Sequence, residues 1–210
     1  MLWRNPPAPE RRPEGFIKPC IPTRATKPPV GPQWVHEIKH DGYRLIARKR
    51  DGRVRLFTRR GFDWTDRYPV ISKAVAALRT ASVTIDGEAV WLGDDGLAIF
   101  DKLHSRSHDH EVVFYAFDLL ELDGEDWRPR PLEERKATLQ ELIGKPGAGI
   151  LYSEHLDGDG ATIFAHACRL GAEGIVSKRR DHPYRSGSSK AWVKTKNPAA
   201  PGMLRFREEP

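Results

Sequence analysis

The sequence of 210 residues predicts an α+β fold in which antiparallel sheets are flanked by helices. Its strongest local signal is a β-hairpin over Gly42–Arg59, where two alternating runs of apolar and basic residues meet at an Asp-Gly pair. A second signal is the recurrence of apolar residues at helical spacing over Asp66–Arg79. Further apolar segments of strand length follow, interspersed with helical ones and without an internal repeat. This mixture is typical of the α+β class.

The predicted elements follow one another in order. Nine of the 17 prolines lie in residues 1–32, which predicts a Pro-rich arm without regular secondary structure. After the hairpin and the first helix, the predicted strands are Val83–Leu92, Val112–Leu122, Glu173–Lys178 and Ala191–Lys196, and the predicted helices are Pro131–Ile143 and Thr162–Leu170. The predicted organisation is therefore an arm at 1–32, one folded domain at 33–197 and a short tail at 198–210.

Composition limits the class of protein. The formal net charge is +6, which is compatible with binding to phosphates, although many soluble proteins are mildly basic for no binding reason. No apolar stretch is long enough to span a bilayer, and the N-terminal residues lack the apolar core of a signal peptide. Two cysteines without CxxC spacing predict neither a disulfide framework nor a zinc site. We therefore expect a cytoplasmic protein with no membrane partner.

The segment Glu37–Arg44 is the most informative part of the chain. Lys39 stands just before the hairpin, and a carboxylate, Asp41, follows two residues later. A lysine attacks only as the neutral amine, so a nucleophile here would need nearby cations to lower its pKa. A lone Lys-x-Asp-Gly is more often a surface turn, so this segment alone does not establish a catalytic site.

Three later segments also combine apolar strand residues with charge. The charged residues are the pairs Asp86 and Glu88, Glu173 and Lys178, and Lys194 and Lys196. The first and last pairs each share a strand face because side chains alternate with a period of two. Carboxylates within an apolar strand are costly unless they bind metal or a basic partner, although Asp86 could simply brace a turn. Four such segments in one chain favour a phosphoryl-transfer site.

These residues resemble the motifs of a known superfamily, the covalent nucleotidyltransferases, which includes ATP-dependent DNA ligases and messenger-RNA capping enzymes. The defining pattern Lys-x-Asp-Gly-x-Arg is matched by Lys39, Asp41, Gly42 and Arg44. A finer resemblance, to the ligase domain of bacterial multifunctional end-joining ligases, is carried by Leu56–Thr65, Phe114–Gly124 and Glu173–Lys178. The likeness extends over about residues 16–198.

The resemblance implies a nucleotidyltransferase (adenylation) domain and a reaction in three steps. Lys39 would attack the α-phosphate of ATP and retain AMP, AMP would pass to a DNA 5′-phosphate, and the 3′-hydroxyl would displace it to seal the nick. The implied cofactors are ATP and Mg²⁺ (or Mn²⁺), and the implied substrate is nicked or broken double-stranded DNA. We therefore expect a DNA repair enzyme of the bacterial cytoplasm, associated with the nucleoid.

The resemblance also assigns roles to individual residues. Lys39, Asp41, Lys194 and Lys196 would be catalytic, with the two strand lysines on the α-phosphate. The implied ATP-binding residues are Glu37, Ile38, Arg44, Arg59, Glu88, Phe117, Glu173 and Lys178, with Phe117 stacked on adenine. The implied metal ligands are Asp41, Glu88 and Glu173. The DNA-binding candidates are Arg44, Arg59, Arg179, Arg180 and Arg185.

Other interpretations stay open at this point. Phe117 could only pack in the core, and the loop that carries Arg179 could only be solvated. The chain could be an RNA ligase or capping-type enzyme, or a module that binds nicks with little turnover. DNA ligases normally continue into an oligonucleotide-binding (OB) barrel, for which Asn197–Pro210 is too short. We therefore expect activity that is weak or that depends on a protein supplying this clamp.

Overall fold

The structure is a computed structural model that describes residues 13–145 and 147–200. The strands in these residues are β1 (Cys20–Ala25), β2 (Trp34–Ile38), β3 (Tyr43–Arg50), β4 (Arg53–Thr58), β5 (Val83–Val90), β6 (Val113–Leu122), β7 (Glu125–Asp126), β8 (Ile150–Tyr152), β9 (Gly174–Arg179) and β10 (Gly187–Lys196). The helices are α1 (Pro69–Ala76), α2 (Phe100–His104), α3 (Leu132–Ile143) and α4 (Gly160–Arg169). The predicted α+β class is confirmed.

The strands form two sheets. One has four strands in the order β1-β10-β9-β2, and the other has the order β4-β3-β5-β6-β7, with β8 also paired to β6. Most neighbouring strands are antiparallel, as predicted, but β1 runs parallel to β10 and β8 runs parallel to β6. Both sheets are therefore mixed.

Three apolar clusters lie between the layers of helices and sheets and show how these layers are stacked. The outer face of the six-stranded sheet packs on α1 and α3 through residues such as Leu45, Ala47 and Leu139. Its inner face packs on the four-stranded sheet through Ile46, Phe117 and their neighbours. Helix α4 covers the far face of the four-stranded sheet. Consecutive residues of β3 thus point into different clusters, as strand alternation requires.

The predicted hairpin is confirmed and its turn has a clear cause. Arg50 pairs with Arg53, and the two residues between them, Asp51 and Gly52, have φ values of 50° and 72°. Two left-handed central residues define the tight turn whose twist matches that of the strands, and Asp-Gly is among the pairs that adopt it most readily.

The predicted first helix is shorter than expected. The spacing predicted Asp66–Arg79, whereas α1 spans Pro69–Ala76. Proline favours the first turn because its fixed φ suits a helix and its missing N–H is not needed there. The helix therefore begins at Pro69. None of the described helices is long and apolar enough to cross a membrane.

The prediction that residues 1–32 lack regular secondary structure is wrong for Cys20–Ala25, which form β1. Strand β1 lies at the edge of its sheet and pairs with one neighbour only. The missing backbone N–H of Pro22 is tolerated there because no second strand needs it as a donor. The register with β10 also shifts between Pro22 and Thr23, whose partners are Ser189 and Val193, so β10 bulges opposite the proline. Residues 1–12 of the predicted arm and residues 201–210 of the predicted tail lie outside the described residues.

Candidate active site

A cleft of about 170 Å³ opens where the inner face of the six-stranded sheet meets the four-stranded sheet. Nine of the predicted site residues line it: Glu37, Ile38, Lys39, Arg44, Arg59, Glu88, Phe117, Lys178 and Lys194. Asp41 and Glu173 line an adjoining cavity that also contains Lys39. Residues up to about 150 positions apart in the sequence are thus brought to one place, with Lys39 between two openings.

Two glycines of the recognised motifs allow this close packing. A Cβ at Gly42 would lie 2.2 Å from the carbonyl oxygen of Ala89, so only glycine lets the start of β3 approach β5. Gly174 has a φ of 141°, and a Cβ there would lie 2.1 Å from the carbonyl oxygen of Thr195. The carbonyl of Gly174 accepts the backbone N–H of Lys39 at 2.9 Å. Gly174 therefore fixes the backbone around the candidate nucleophile.

The amine of Lys39 makes an ion pair with Glu173. The other carboxylate oxygen of Glu173 lies 2.8 Å from Nζ of Lys196, so one carboxylate bridges two lysines. Burial raises the pKa of Glu173, but the two lysines outweigh it and hold the pKa of this carboxyl below its ordinary value. Cations around Lys39 are predicted from the sequence, whereas this carboxylate partner is not.

The predicted strand lysines do gather near Lys39. Burial, followed by the positive charges of Lys39, Lys196 and Arg59, lowers the pKa of Lys194. Lys194 is thus surrounded by three further cations, and the four define an electropositive patch beside the cleft. Such a patch is suited to a polyphosphate, whose charge it would neutralise.

The carboxylate of Glu37 is buried between two lysines. Its oxygens each accept a hydrogen bond of 2.8 Å, one from Nζ of Lys136 and one from Nζ of Lys178. Burial and the nearby Lys136 lower the pKa of Lys178 to about 8, although Glu37 opposes the shift. With both carboxylate oxygens occupied, what Glu37 can offer a ligand in the cleft is mainly its backbone.

Arg44 is held by a carboxylate that sequence reasoning undervalued. Asp86 is fully buried and accepts two hydrogen bonds from Arg44, at 2.5 and 2.6 Å. The hydroxyl of Tyr184 donates to Asp86 at 2.5 Å and accepts the backbone N–H of Cys20 at 2.8 Å. The alternative that Asp86 only braces a turn is therefore wrong, because it lies within β5 and anchors Arg44 to the floor of the cleft.

Glu88 has a different environment from the other cleft carboxylates. Burial raises its pKa to about 7, although Lys39 and Arg44 oppose the shift. Within residues 13–145 and 147–200, no group of three or more His, Cys, Asp or Glu side chains is arranged to hold a metal. Mg²⁺ is often bound through one or two carboxylates together with substrate phosphates, so Glu88 fits that mode better than a preformed cage.

Comparison with known proteins identifies the family. Residues 23–196 match the model of the ATP-dependent DNA ligase domain. The chain belongs to the ATP-dependent DNA ligase family. Over 185 residues it is 40% identical to the multifunctional non-homologous end joining protein LigD of Pseudomonas aeruginosa. This match covers 86% of the chain and 22% of that protein. The chain thus spans about a fifth of the length of this curated relative.

Solved structures agree with this assignment. The ligase domain of Mycobacterium tuberculosis LigD matches with a TM-score of 0.74 and 38% identity, over 85% of this chain and 60% of that one. A mycobacterial DNA ligase D in complex with ATP matches with a TM-score of 0.73 and 36% identity, over 85% and 59% of the two chains. The predicted family and adenylation-domain fold of this ligase domain are confirmed.

Phe117 of the ligase domain is only partly available to a ligand. Its side chain is 9% exposed and packs edge-on against Trp192, with ring centroids 6.0 Å apart. The guanidinium carbon of Arg44 and the amine of Lys178 each lie 4.4 Å from its centroid. Phe117 therefore serves the core between the sheets and lines the cleft at once, and stacking on adenine stays a prediction.

The three predicted DNA-binding arginines near the β9–β10 loop do not line the cleft. Arg179 pairs with Asp181 at 2.7 Å, and Arg180 pairs with Asp157 at 2.6 Å. Arg185 is exposed. Two of the three therefore already have a carboxylate partner, and their contact with DNA stays a prediction.

Several cleft residues were not found from the sequence. They are Ile21, Pro22, His40, Val176 and Trp192, with Lys136 behind Glu37. Ile21 and Pro22 belong to the unpredicted strand β1. Burial lowers the pKa of His40 to about 4, and its ring stacks on Tyr115 with centroids 4.0 Å apart. His40 is thus a neutral packing residue at pH 7 and no local pattern marked it.

Proposed function

We propose that this ligase domain forms a covalent lysine–AMP adduct at Lys39, passes AMP to the 5′-phosphate of nicked or broken double-stranded DNA, and seals the break. In the first step, Nζ of Lys39 loses a proton and bonds to the α-phosphorus of ATP as the bond to pyrophosphate breaks. The observation that carries the proposal is the position of Lys39, which lies in a cleft beside Lys194, Lys196 and Arg59.

The charge distribution supports this reaction. Nucleotidyl transfer depends mainly on positioning and on neutralising charge at the phosphorus. Lys194 and Arg59 line the cleft together with Lys39, and Lys196 lies next to Lys39 through their shared partner Glu173. Phosphates placed beside Lys39 would therefore meet fixed cations. Arg44 is held rigidly by Asp86 and presents its guanidinium to the same cleft. A ribose or a DNA 5′-phosphate is the ligand that this placement favours.

The carboxylates Asp41, Glu88 and Glu173 are the residues that would hold a divalent cation. Mg²⁺ (or Mn²⁺) would supply positive charge against the phosphates. Glu88 is the best placed of the three, because its carboxyl lines the cleft. Glu173 would have to exchange part of its contact with Lys39 and Lys196 for the metal or its water shell.

The substrate and setting follow from the relatives. Proteins named for non-homologous end joining in bacteria are similar to this chain at 40% identity, which supports a role in DNA end-joining repair. We infer that the domain acts in the bacterial cytoplasm, at the nucleoid.

Self-adenylylation tests the proposal directly. The protein is incubated with ATP labelled at the α-phosphate and with Mg²⁺, and then denatured and separated by electrophoresis. Label should remain on the wild-type chain and be lost in Lys39→Ala, whereas the exposed-lysine control Lys190→Ala should keep it. Absence of label from the wild-type chain, with all divalent cations tried, would leave a nick-binding module as the better description.

Sealing of a nick whose 5′-phosphate is already adenylylated tests the last step by itself. Because Lys39 acts only in forming the adduct, Lys39→Ala should retain most of this activity. Arg44→Ala should lose it at least tenfold, since a phosphate contact in the transition state is removed.

A further inference from the structure

The outer half of the β3–β4 hairpin carries four arginines on one face. The register places Arg48 opposite Arg55 and Arg50 opposite Arg53. Side chains alternate along a strand, so these arginines share the inner face of the sheet with Arg44. Like charges directly opposite each other destabilise a sheet. The stability of the fold therefore does not account for two such pairs side by side.

These arginines have little counter-charge. Arg50 and Arg55 are 63% and 52% exposed and pair at 3.7 and 3.2 Å with the exposed carboxylates of Asp51 and Asp63. In the described part of the chain, no carboxylate lies within ion-pair distance of Arg48 or Arg53. Arg48 is half-buried and, with Arg50, also lines a neighbouring cavity that contains Glu121, Asp123 and Asp126. These acids screen part of the charge without pairing with either arginine, and the remaining positive charge is available to a ligand.

The groove over this face has the character of a backbone-binding surface. It has a volume of about 520 Å³ and is lined by the four arginines together with Glu14 and Asp51. Four positive charges against two negative ones leave an excess of two. A groove walled only by charged side chains lacks the apolar enclosure of a small-molecule site, but it suits a hydrated chain of phosphates.

The distance to the cleft sets which phosphates would reach the arginines. Arg44 and Arg59 line the cleft at the other end of the same two strands. Six residues separate Arg44 from Arg50, which is about 20 Å along a strand. Phosphates in a DNA strand advance about 3.4 Å per base pair along the helix axis, so this distance corresponds to about six base pairs.

We propose that Arg48, Arg50, Arg53 and Arg55, the hairpin arginines, bind the sugar–phosphate backbone of the duplex about six base pairs from the nick. The proposal rests on the proposed function, because it places the nick at Lys39. Contacts to phosphates position a duplex and do not read its bases. The hairpin arginines therefore contribute affinity for duplex DNA that does not depend on its sequence.

The salt dependence of DNA binding tests this surface. The double variant Arg50→Gln/Arg53→Gln removes two charges, and the matched control Lys73→Gln/Arg79→Gln removes two exposed charges on and after α1, which packs on the opposite face. Binding of a nicked duplex is followed by fluorescence anisotropy over a range of salt concentrations. Each lost phosphate contact lowers the slope of log Kd against log salt by about 0.9. We expect a loss of about 1.8 in the double variant and little change in the control.

Neutralised phosphates locate the contact. Four nicked duplexes are prepared, each with three uncharged methylphosphonates in place of phosphates about six base pairs from the nick. The four differ in which strand carries the methylphosphonates and on which side of the nick they lie. At least one of them should bind the wild-type protein about tenfold more weakly than the unmodified duplex, and this penalty should be smaller for Arg50→Gln/Arg53→Gln, which keeps only Arg48 and Arg55. If all four lower the affinity of both proteins equally, or none lowers it, the proposal is overturned.

Self-adenylylation without DNA separates this proposal from the proposed function. The double variant should label with ATP as fast as the wild-type chain, since it keeps every cleft residue. If the double variant labels normally and its salt slope is unchanged, DNA binding by the hairpin arginines is rejected and the proposed function stands. If the wild-type chain does not label, the proposed function is rejected.

Discussion

The cleft and the hairpin arginines are both rich in charge, but the charges are paired in the cleft and largely unpaired on the hairpin. In the cleft, Glu37 accepts from two lysines and Asp86 is paired with Arg44. On the hairpin, arginine stands opposite arginine and the acids nearby are exposed. Burial explains the difference. A buried charge needs a partner because it has lost water, whereas an exposed charge keeps its hydration and remains free to bind.

The largest effect on stability is expected on removing the buried carboxylate of Glu37. In Glu37→Leu, the ammonium groups of Lys136 and Lys178 stay buried without their partner. We expect the free energy of unfolding to fall by about 3–5 kcal/mol. Urea denaturation at pH 7 measures this. The triple change Glu37→Leu/Lys136→Met/Lys178→Met should recover much of the loss, and failure to do so would mean that packing, not charge, dominates.

A smaller effect is expected at Tyr184. The variant Tyr184→Phe keeps the ring but leaves the buried N–H of Cys20 without its acceptor and Asp86 with one donor fewer. A buried group left unsatisfied costs about 1–3 kcal/mol. Thermal unfolding should show this loss, and Tyr115→Phe serves as the control. Equal stability of the two variants would contradict the role of the hydroxyl.

The pH dependence of stability should reveal Glu88. Its pKa is raised in the folded state to about 7, so the fold favours the protonated form. The stability that this group contributes is present below its unfolded pKa and is lost as pH rises through about 7. Glu88→Gln should therefore gain stability relative to the wild type between pH 5 and 8, on the order of 1–2 kcal/mol. A difference between the two proteins that stays constant over this range would rule the shift out.

The smallest effect on stability is expected at the hairpin. Arg50→Gln/Arg53→Gln removes a like-charge pair that no described carboxylate holds tightly. The free energy of unfolding should change by less than about 0.5 kcal/mol, or rise slightly at low salt. The same denaturation experiment that detects the loss in Glu37→Leu measures it. A loss as large as that of Glu37→Leu would show that these arginines stabilise the fold.

The elements that the sequence predicts correctly are those with a local signal. The turn at Asp51 and Gly52 depends on two adjacent residues, and apolar runs predict the strands at Val113–Leu122 and Gly174–Arg179. The strand at Cys20–Ala25 is not predicted, because Pro22 outweighs its weak strand signals and only pairing with β10 makes the segment a strand. The short strand β8 was missed for the same reason, since it pairs with β6.

The fold class, the family and the candidate nucleophile Lys39 can be predicted from the sequence, because hydrophobic periodicity and short motifs are properties of contiguous residues. Which charged side chains form ion pairs is visible only in the folded protein. Lys39 contacts Glu173 across 134 residues, and Lys136 contacts Glu37 across 99. Such pairs depend on how two sheets pack, and no local pattern encodes that packing.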